Sequence, residues 1–424
     1  MMLPLLLSLA VTATPDTLTL VKAVELGRLR AVQATIARLS AKAADVRVGQ
    51  RRADLLPNLS GSATATRQTL NLDEFGFPGA GGVTNPFSIF NLRLRIQQTV
   101  YDPATFARLS ATRDSVVAAG LDAETAGVVA GTTAGIAFLR AVSAEETVAA
   151  READTTTTYR LLIGARQVNQ AGLTPAIDVT RSEVTFAAAR TQLALARNLR
   201  DRTRLDLIRA LDFPADTTVT LAHDLSGTIT GVPATAADAA RFAREHRSDL
   251  GAERQRLRVM EKGREAIRAE NLPSVTASGA LTESGRRTGT LKSTYLAQLG
   301  ITIPILDGWR RQLRSREQGL RIDAQAARVT DLEHQIDIET RQAFLDLASA
   351  IDQVALARER ATLADRELSQ AEERLRAGVT GTLETTTAQG GVTAAQDGVI
   401  QARVAQSVAR IGLYRALGIL EQLR

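Results

Sequence analysis

The sequence contains no cysteine. Disulfides, thiolate metal sites, cysteine nucleophiles and a lipid-bearing N-terminal cysteine are thereby excluded, and the fold must be held together by packing alone. Aromatic residues make up only 4% of the 424 residues, and the 11 prolines gather at a few places instead of scattering. Such a composition suits long helices with marked breaks and leaves few independent globular cores. No apolar run reaches the ~20 residues of a membrane-spanning helix. If the chain crosses a bilayer, it must do so as a β-barrel. Runs of like charge are also missing: the net charge of +6 comes from arginine mixed closely with Asp and Glu, a pattern that does not point to nucleic acid. The three histidines, His223, His246 and His334, lack metal-ligand spacing. No Ser-His-Asp order, P-loop or dinucleotide fingerprint stands out, so neither catalysis nor a cofactor is expected.

What the chain does have is a repeat of itself. Leu55-Leu56-Pro57-Asn58-Leu59-Ser60 returns as Asn271-Leu272-Pro273-Ser274-Val275-Thr276. Val100-Tyr101-Asp102-Pro103 returns as Ile305-Leu306-Asp307-Gly308, and Ala171-Gly172-Leu173-Thr174 as Ala377-Gly378-Val379-Thr380. The later landmarks, down to Leu211-Asp212 and Leu417-Gly418, keep an offset of roughly 205 residues, so two structural repeats are expected, residues 17–212 and 235–420. Residues 213–234 read as an irregular connector. Met1 to Ala13 carries an apolar stretch followed by small residues, which resembles a secretory signal without the usual basic start.

Each repeat holds a strand hairpin, at 58–100 and at 274–305. Between Phe87 and Val100, residues Phe90, Leu92, Leu94 and Ile96 fall on one face and Asn91, Arg93, Arg95 and Gln97 on the other. Two arginines require water, and four large apolar residues on the opposite face require a core or lipid. In the second hairpin Tyr295, Leu299, Ile301, Ile303 and Ile305 oppose Thr294, Gln298 and Thr302. Strands of ~10 residues with one apolar face match a membrane barrel better than a soluble ribbon lying on a helix. The first hairpin's loop is longer by about eleven residues.

Helical stretches surround these hairpins. The first begins at Thr17 with a break near Gly27 and ends before Pro57. Long ones follow at 104–171 and 309–377, then shorter ones at 175–211 and 383–420. Gly172 and Gly378 sit where a helix C-terminus needs a left-handed residue, with Thr174 and Thr380 as candidate caps of the next helix. These read as helical hairpin tips. Each long helix matches in length the two shorter ones placed end to end, about 100 Å at 1.5 Å per residue, so each repeat is expected to form a thin helical wall. Abundant alanine permits close helix approach. Four strands per chain are too few to close a barrel, so oligomerisation is expected, and three copies supply twelve. The rival, a non-membrane coiled-coil scaffold, requires sustained heptads and no alternating strands.

The Leu-Pro-x-Leu approach to the first hairpin, the Val-Tyr-Asp-Pro and Leu-Asp-Gly exits, the Gly-x-Thr tips followed by Asp178 or Glu384, and the helix ends Leu211-Asp212 and Leu417-Gly418 together resemble the TolC family of outer membrane efflux proteins. The resemblance covers Thr17 to Leu420. It implies an α+β membrane protein: a homotrimeric twelve-stranded β-barrel in the outer membrane of a Gram-negative bacterium, continuous with a twelve-helix periplasmic barrel. It implies a channel-tunnel that catalyses nothing and exports substrates, opened at its tips by a periplasmic adaptor and an inner-membrane pump of the RND or ABC type.

The resemblance also assigns residues. The family's aperture pattern, like Leu-Asp-x-x-Asp, reads here Leu383-Glu384-Thr385-Thr386-Thr387: Glu384 matches the first acid and Thr387 replaces the second. One ring of glutamates attracts cations less strongly than two. Asp178, with Arg181 close by, matches an acid that helps latch the closed state. Gly172, Leu173, Thr174, Gly378, Val379 and Thr380 match the segments an adaptor grips. Arg93, Arg95, Gln97 and Gln298 are expected to line the barrel lumen, and Arg286, Arg287 and Lys292 the outer rim. The family's lipid-anchored version carries an N-terminal cysteine, which this sequence lacks, so anchoring in outer membrane lipid is expected from the barrel alone.

Overall fold

The structure, a computed structural model, describes residues 17–75, 82–172, 174–225, 227, 229–377 and 379–423. The signal-like segment 1–13 and the tip residues Leu173 and Gly378 lie outside the described residues. The element order is α1 (Leu20–Arg30), α2 (Val32–Ala53), β1 (Asn58–Gln68), β2 (Phe87–Tyr101), α3 (Pro103–Gln170), α4 (Ala176–Ala210), α5 (Ala236–His246), α6 (Ser248–Ala269), β3 (Ser274–Gly285), β4 (Lys292–Thr302), α7 (Arg310–Arg376) and α8 (Thr382–Leu417). Both halves run helix, helix, hairpin, long helix, helix. Their lengths agree closely: α1 and α5 have 11 residues each, α2 and α6 have 22, α3 and α7 have 68 and 67, and α4 and α8 have 35 and 36.

Several boundaries fall elsewhere than the sequence pattern suggests. Helix α1 starts at Leu20, because Thr19 is its cap and accepts from the Lys22 N–H at 3.3 Å. Leu18 is instead bridged in parallel to Leu221. The break before α2 comes at Ala31, not Gly27. Strand β4 stops at Thr302, short of the apolar alternation that runs to Ile305, because Pro304 has no N–H to extend the ladder. Helix α8 ends at Leu417, where Gly418 turns into the left-handed region at φ 77°. The equivalent position in the first repeat, Asp212, adopts the same region at φ 54°, which an aspartate tolerates better than most side chains.

The chain divides into two compact units. The first takes the described residues of Met1–Leu39, Leu121–Gly251 and Thr330–Arg424, and the second Ser40–Gly120 and Ala252–Val329. In the first unit Phe138, Leu207, Leu250, Ile336, Ile411 and Leu417 form a core less than 2% exposed. The connector between the repeats is held to it by Tyr414, fully buried, whose hydroxyl donates to the Thr230 carbonyl and accepts from the Thr230 N–H, both at 3.0 Å. Helix α3 contains a stretch long and apolar enough to cross a membrane by length and composition, an exception to the sequence reading; 61% of that stretch is buried inside the protein, as a core helix requires.

The second unit carries the sheet, a four-stranded antiparallel array in the order β1-β2-β3-β4. Its register pairs Leu59 with Ile96, Leu94 with Leu281, and Leu281 with Tyr295, so one face is largely apolar across all four strands, with Glu283 and Ser293 as polar exceptions beside Leu92. Among the described residues no helix packs across that face: Tyr295 is 87% exposed and Leu299 69%. A soluble ribbon resting on a helix does not look like this, and four strands do not belong in a coiled-coil scaffold.

Candidate functional sites

The opposite face of the sheet is polar. Strand periodicity places Arg93, Arg95 and Gln97 on it together, and pairing of Arg93 with Ser62 and Thr282, Arg95 with Ser60, and Gln97 with Asn58 and Ser278 extends it across three strands. Gln298 joins the same face opposite Ser278. Arg93 Nε donates to Thr282 Oγ1 at 3.3 Å, which fixes one arginine on the face. Apolar residues interrupt it at Leu296 opposite Ala280, and at Ile89 and Phe87 toward the far end of β2. At the far end of the hairpins, Arg286 lies over the Phe87 ring, 4.7 Å from its centroid, and Lys292 opposes Ser284.

The helical tips form a second site. Gly172 adopts φ 74° and closes α3, its N–H donating to the Asn169 carbonyl at 2.9 Å. Asn169 Nδ2 reaches across the turn to the Thr174 carbonyl at 2.7 Å. The threonines do not cap: the N-cap positions are Pro175 for α4 and Gly381 for α8, each without a side-chain bond. The Thr174 and Thr380 hydroxyls, one residue too early for that role, turn inward and are buried without a partner. Val379 is exposed.

Both tip acids have local partners. Asp178 is buried and receives Arg181 Nη1 at 3.3 Å, one helical turn on. Glu384 is more open and pairs with Arg374 across the second tip, Nη1 to Oε1 at 3.2 Å. Thr387 is exposed and gives its hydroxyl proton to the Leu383 carbonyl.

A cavity of about 470 Å³ lies between the two tips, bounded by Leu161 and Val168 of α3, Leu375 of α7, and Thr382 and Thr385 of α8. Four threonine hydroxyls around it, from Thr174, Thr380, Thr382 and Thr385, are buried with no hydrogen-bond partner. Unpaired buried hydroxyls cost free energy, about 1–3 kcal/mol each. Deeper along α8 polar residues bond across to α3: Asp154 Oδ1 accepts from Gln389 Nε2 and Thr393 Oγ1, Arg151 pairs with Asp397, and Arg403 with Glu146, while Gln389 Oε1 is buried without a partner. The sequence reading missed this polar seam between α3 and α8. Its trace is the recurrence of polar residues at 382, 385, 389, 393 and 397, a helical period broken by no large apolar residue on that line.

A third cluster holds the α5–α6 junction. Arg247 reaches Asp249 at 2.6 Å and Glu339 at 2.5 Å. Burial alone pulls the Arg247 guanidinium toward neutrality, but its hydrogen bonds to the two acids outweigh that and raise its pKa. For Asp249 and Glu339, burial pushes upward and the bonds from Arg247 pull further downward, so both carboxyls lie below their ordinary range. Among the described residues no group of three or more His, Asp or Glu side chains is placed to hold a metal.

A model of the outer membrane efflux protein family matches residues 25–212 and 240–419, one range in each repeat. Solved structures share the fold. The CmeC outer membrane channel of Campylobacter jejuni aligns at a TM-score of 0.82 and 16% identity, covering 95% of this chain and 86% of that one. The open-state MtrE outer membrane channel of Neisseria gonorrhoeae gives 0.78 at 19% identity, covering 95% and 89%. The outer membrane protein VceC of Vibrio cholerae gives 0.78 at 16%, covering 94% and 96%. No curated protein matches the sequence.

Proposed function

The chain belongs to the outer membrane efflux protein family, and from that membership we propose that three copies close a single export duct, gated at the helical tips. As a family member it is an outer membrane channel of a Gram-negative bacterium, not an enzyme. The observation that carries the trimer is the sheet itself. Its apolar face is bare and its outer strands, β1 and β4, each have one edge unpaired among the described residues. An open edge in a membrane leaves backbone groups that nothing there can satisfy. Pairing β4 of one copy with β1 of the next removes every edge, and three copies of four strands make twelve. Arg93, Arg95, Gln97 and Gln298 then line the lumen, and the helical parts extend into the periplasm.

The tips are the docking end for a periplasmic adaptor, with an inner-membrane pump of the RND or ABC type behind it. The exposed Val379 and the unpartnered threonine hydroxyls of the tip cavity support this, since a partner's polar groups would satisfy what the isolated chain leaves unpaired. Glu384, Asp178, Arg181 and Thr387 are assigned to the aperture.

Because the chain has no cysteine, introduced pairs report cleanly. Ser60→Cys, Ser62→Cys or Thr64→Cys in β1, each combined with Gln298→Cys or Gly300→Cys in β4, should yield disulfide-linked dimers and trimers in outer membrane fractions. If none of the six pairs cross-links while the protein still migrates as a heat-modifiable barrel, the twelve-stranded closure is wrong.

A further inference from the structure

The second unit contains a basic groove that the duct does not use. It lies between α6 and α7, has a volume of about 500 Å³, and is lined by Arg264 and Arg268 from one helix and Arg311 and Arg316 from the other, with Asp323 as its acid. Arg311 is already engaged, Nε on Asp307 at 2.7 Å and Nη1 on the Glu270 carbonyl at 3.0 Å. Arg264, Arg268 and Arg316 form no ion pair and no side-chain hydrogen bond among the described residues, and the Arg264 Nε is buried without a partner. Arg311 and Arg314 of the same helix are by contrast tied to Asp307 and Glu270.

The groove is shaped for the guanidinium. A Cβ on Gly319 would stand 3.5 Å from Arg264 Cζ and 3.6 Å from both of its terminal nitrogens, so this arginine lies directly against the α7 backbone where a side chain is missing. Arg264 is thus held in the groove while its Nε is left unused. Ile267 and Leu320 add apolar surface to the same lining.

Its level along the fold identifies what could fill it. Helix α6 ends at Ala269 and β3 begins at Ser274, while α7 begins at Arg310 after β4 ends at Thr302. The groove therefore occupies the helix-side end of the strands, the level at which a barrel leaves hydrocarbon and meets headgroups. Planar guanidinium forks match phosphate oxygens bidentately, and basic pockets at this depth hold anionic lipid headgroups.

We propose that the α6–α7 groove is a phosphate-binding site in which Arg264, Arg268 and Arg316 hold the phosphate of an anionic phospholipid or of a soluble phosphate ester. The two sources share one chemistry, and the experiment separates them. The full-length protein is placed in nanodiscs of phosphatidylcholine with a minor share of phosphatidylglycerol, and lipid retained on the released oligomer is read by native mass spectrometry. Arg268→Gln/Arg316→Gln removes two exposed cations and leaves the packed Arg264 in place; Arg264→Gln is the second variant. Each should reduce retained phosphatidylglycerol, by on the order of tenfold for the double variant, with the oligomer and its circular dichroism unchanged. In the second arm glycerol phosphate is titrated into protein in neutral-lipid discs and followed by phosphorus NMR. Binding there that the variants abolish, without lipid retention, assigns the site to a soluble ester. Retention equal in wild type and variants, or binding of neither probe, overturns the proposal.

Discussion

Gly27 of α1 meets Ala134 of α3 so closely that a Cβ on the glycine would stand 2.4 Å from the alanine Cβ and 3.0 Å from the Ala130 carbonyl oxygen. Real carbon atoms do not approach that far, so the helices can touch here only through a glycine. Gly131 repeats the device from the other side, where an added Cβ would stand 2.5 Å from Arg28 Cγ and 2.9 Å from the Val24 carbonyl oxygen. Gly27→Ala should therefore destabilise the fold by about 1–3 kcal/mol, the range of an overpacked core. Gly49→Ala in α2, where nothing lies within 4 Å, should be neutral or slightly stabilising because alanine favours helix by up to about 1 kcal/mol. Thermal unfolding followed by circular dichroism separates them; equal melting temperatures would refute the close-packing account.

That glycine also shows what the sequence could and could not convey. A glycine amid helix-favouring residues reads as a break, yet the actual break is at Ala31 and Gly27 is a contact point. Both roles select the same residue, and only the partner helix, more than a hundred positions away, distinguishes them. The strand faces were legible because alternation is local: Arg93, Arg95 and Gln97 share a face by period alone. Gly172 was legible because a left-handed turn demands it. The unpaired threonine hydroxyls, the Asp154 to Gln389 bond and the Arg374 to Glu384 pair were not, since each depends on which helices lie side by side.

The Arg247 cluster should give the protein an acid limb of stability. Asp249 and Glu339 have folded pKa values below their unfolded ones, so their contribution is complete above the unfolded carboxylate value of about 4. It is lost as pH falls through the lower folded values. Arg247, raised by the same bonds, stays charged throughout, so the acid limb follows the two carboxyls. Glu339→Gln should cost about 1–3 kcal/mol at neutral pH and flatten the loss below pH ~4. Denaturation midpoints measured at neutral and acid pH test this; an unchanged acid limb would remove Glu339 from the effect.

Tyr414→Phe removes a hydroxyl that both donates to and accepts from the backbone of Thr230. The ring still fills its buried place, so the core should persist, while the two Thr230 groups lose their partner at a cost of about 1–3 kcal/mol. The connector between the repeats, residues 213–234, should then open more often than the helices it joins. It contains no lysine or arginine, so proteinase K is the suitable probe. Faster cleavage within it, with unchanged helix content, is the expected result.

Glu384 and Arg374 make opposite predictions at the aperture. Their pair is exposed, 3.2 Å apart, and the arginine offsets the acid that would otherwise face the pore. If Glu384 contributes to an anionic ring, Glu384→Gln should lower cation preference in planar bilayers. Arg374→Gln should raise it, because the same carboxylate is then uncompensated. Thr387→Asp should raise it further: its side chain is exposed one turn along α8 and holds only the Leu383 carbonyl, so a carboxylate there would add a second ring. Reversal potentials across a salt gradient measure all three. The sign of the Arg374 variant is decisive, since a generic disturbance of the tip would not raise selectivity. If Glu384→Gln and Arg374→Gln shift the potential in the same direction, or not at all, Glu384 does not face the aperture.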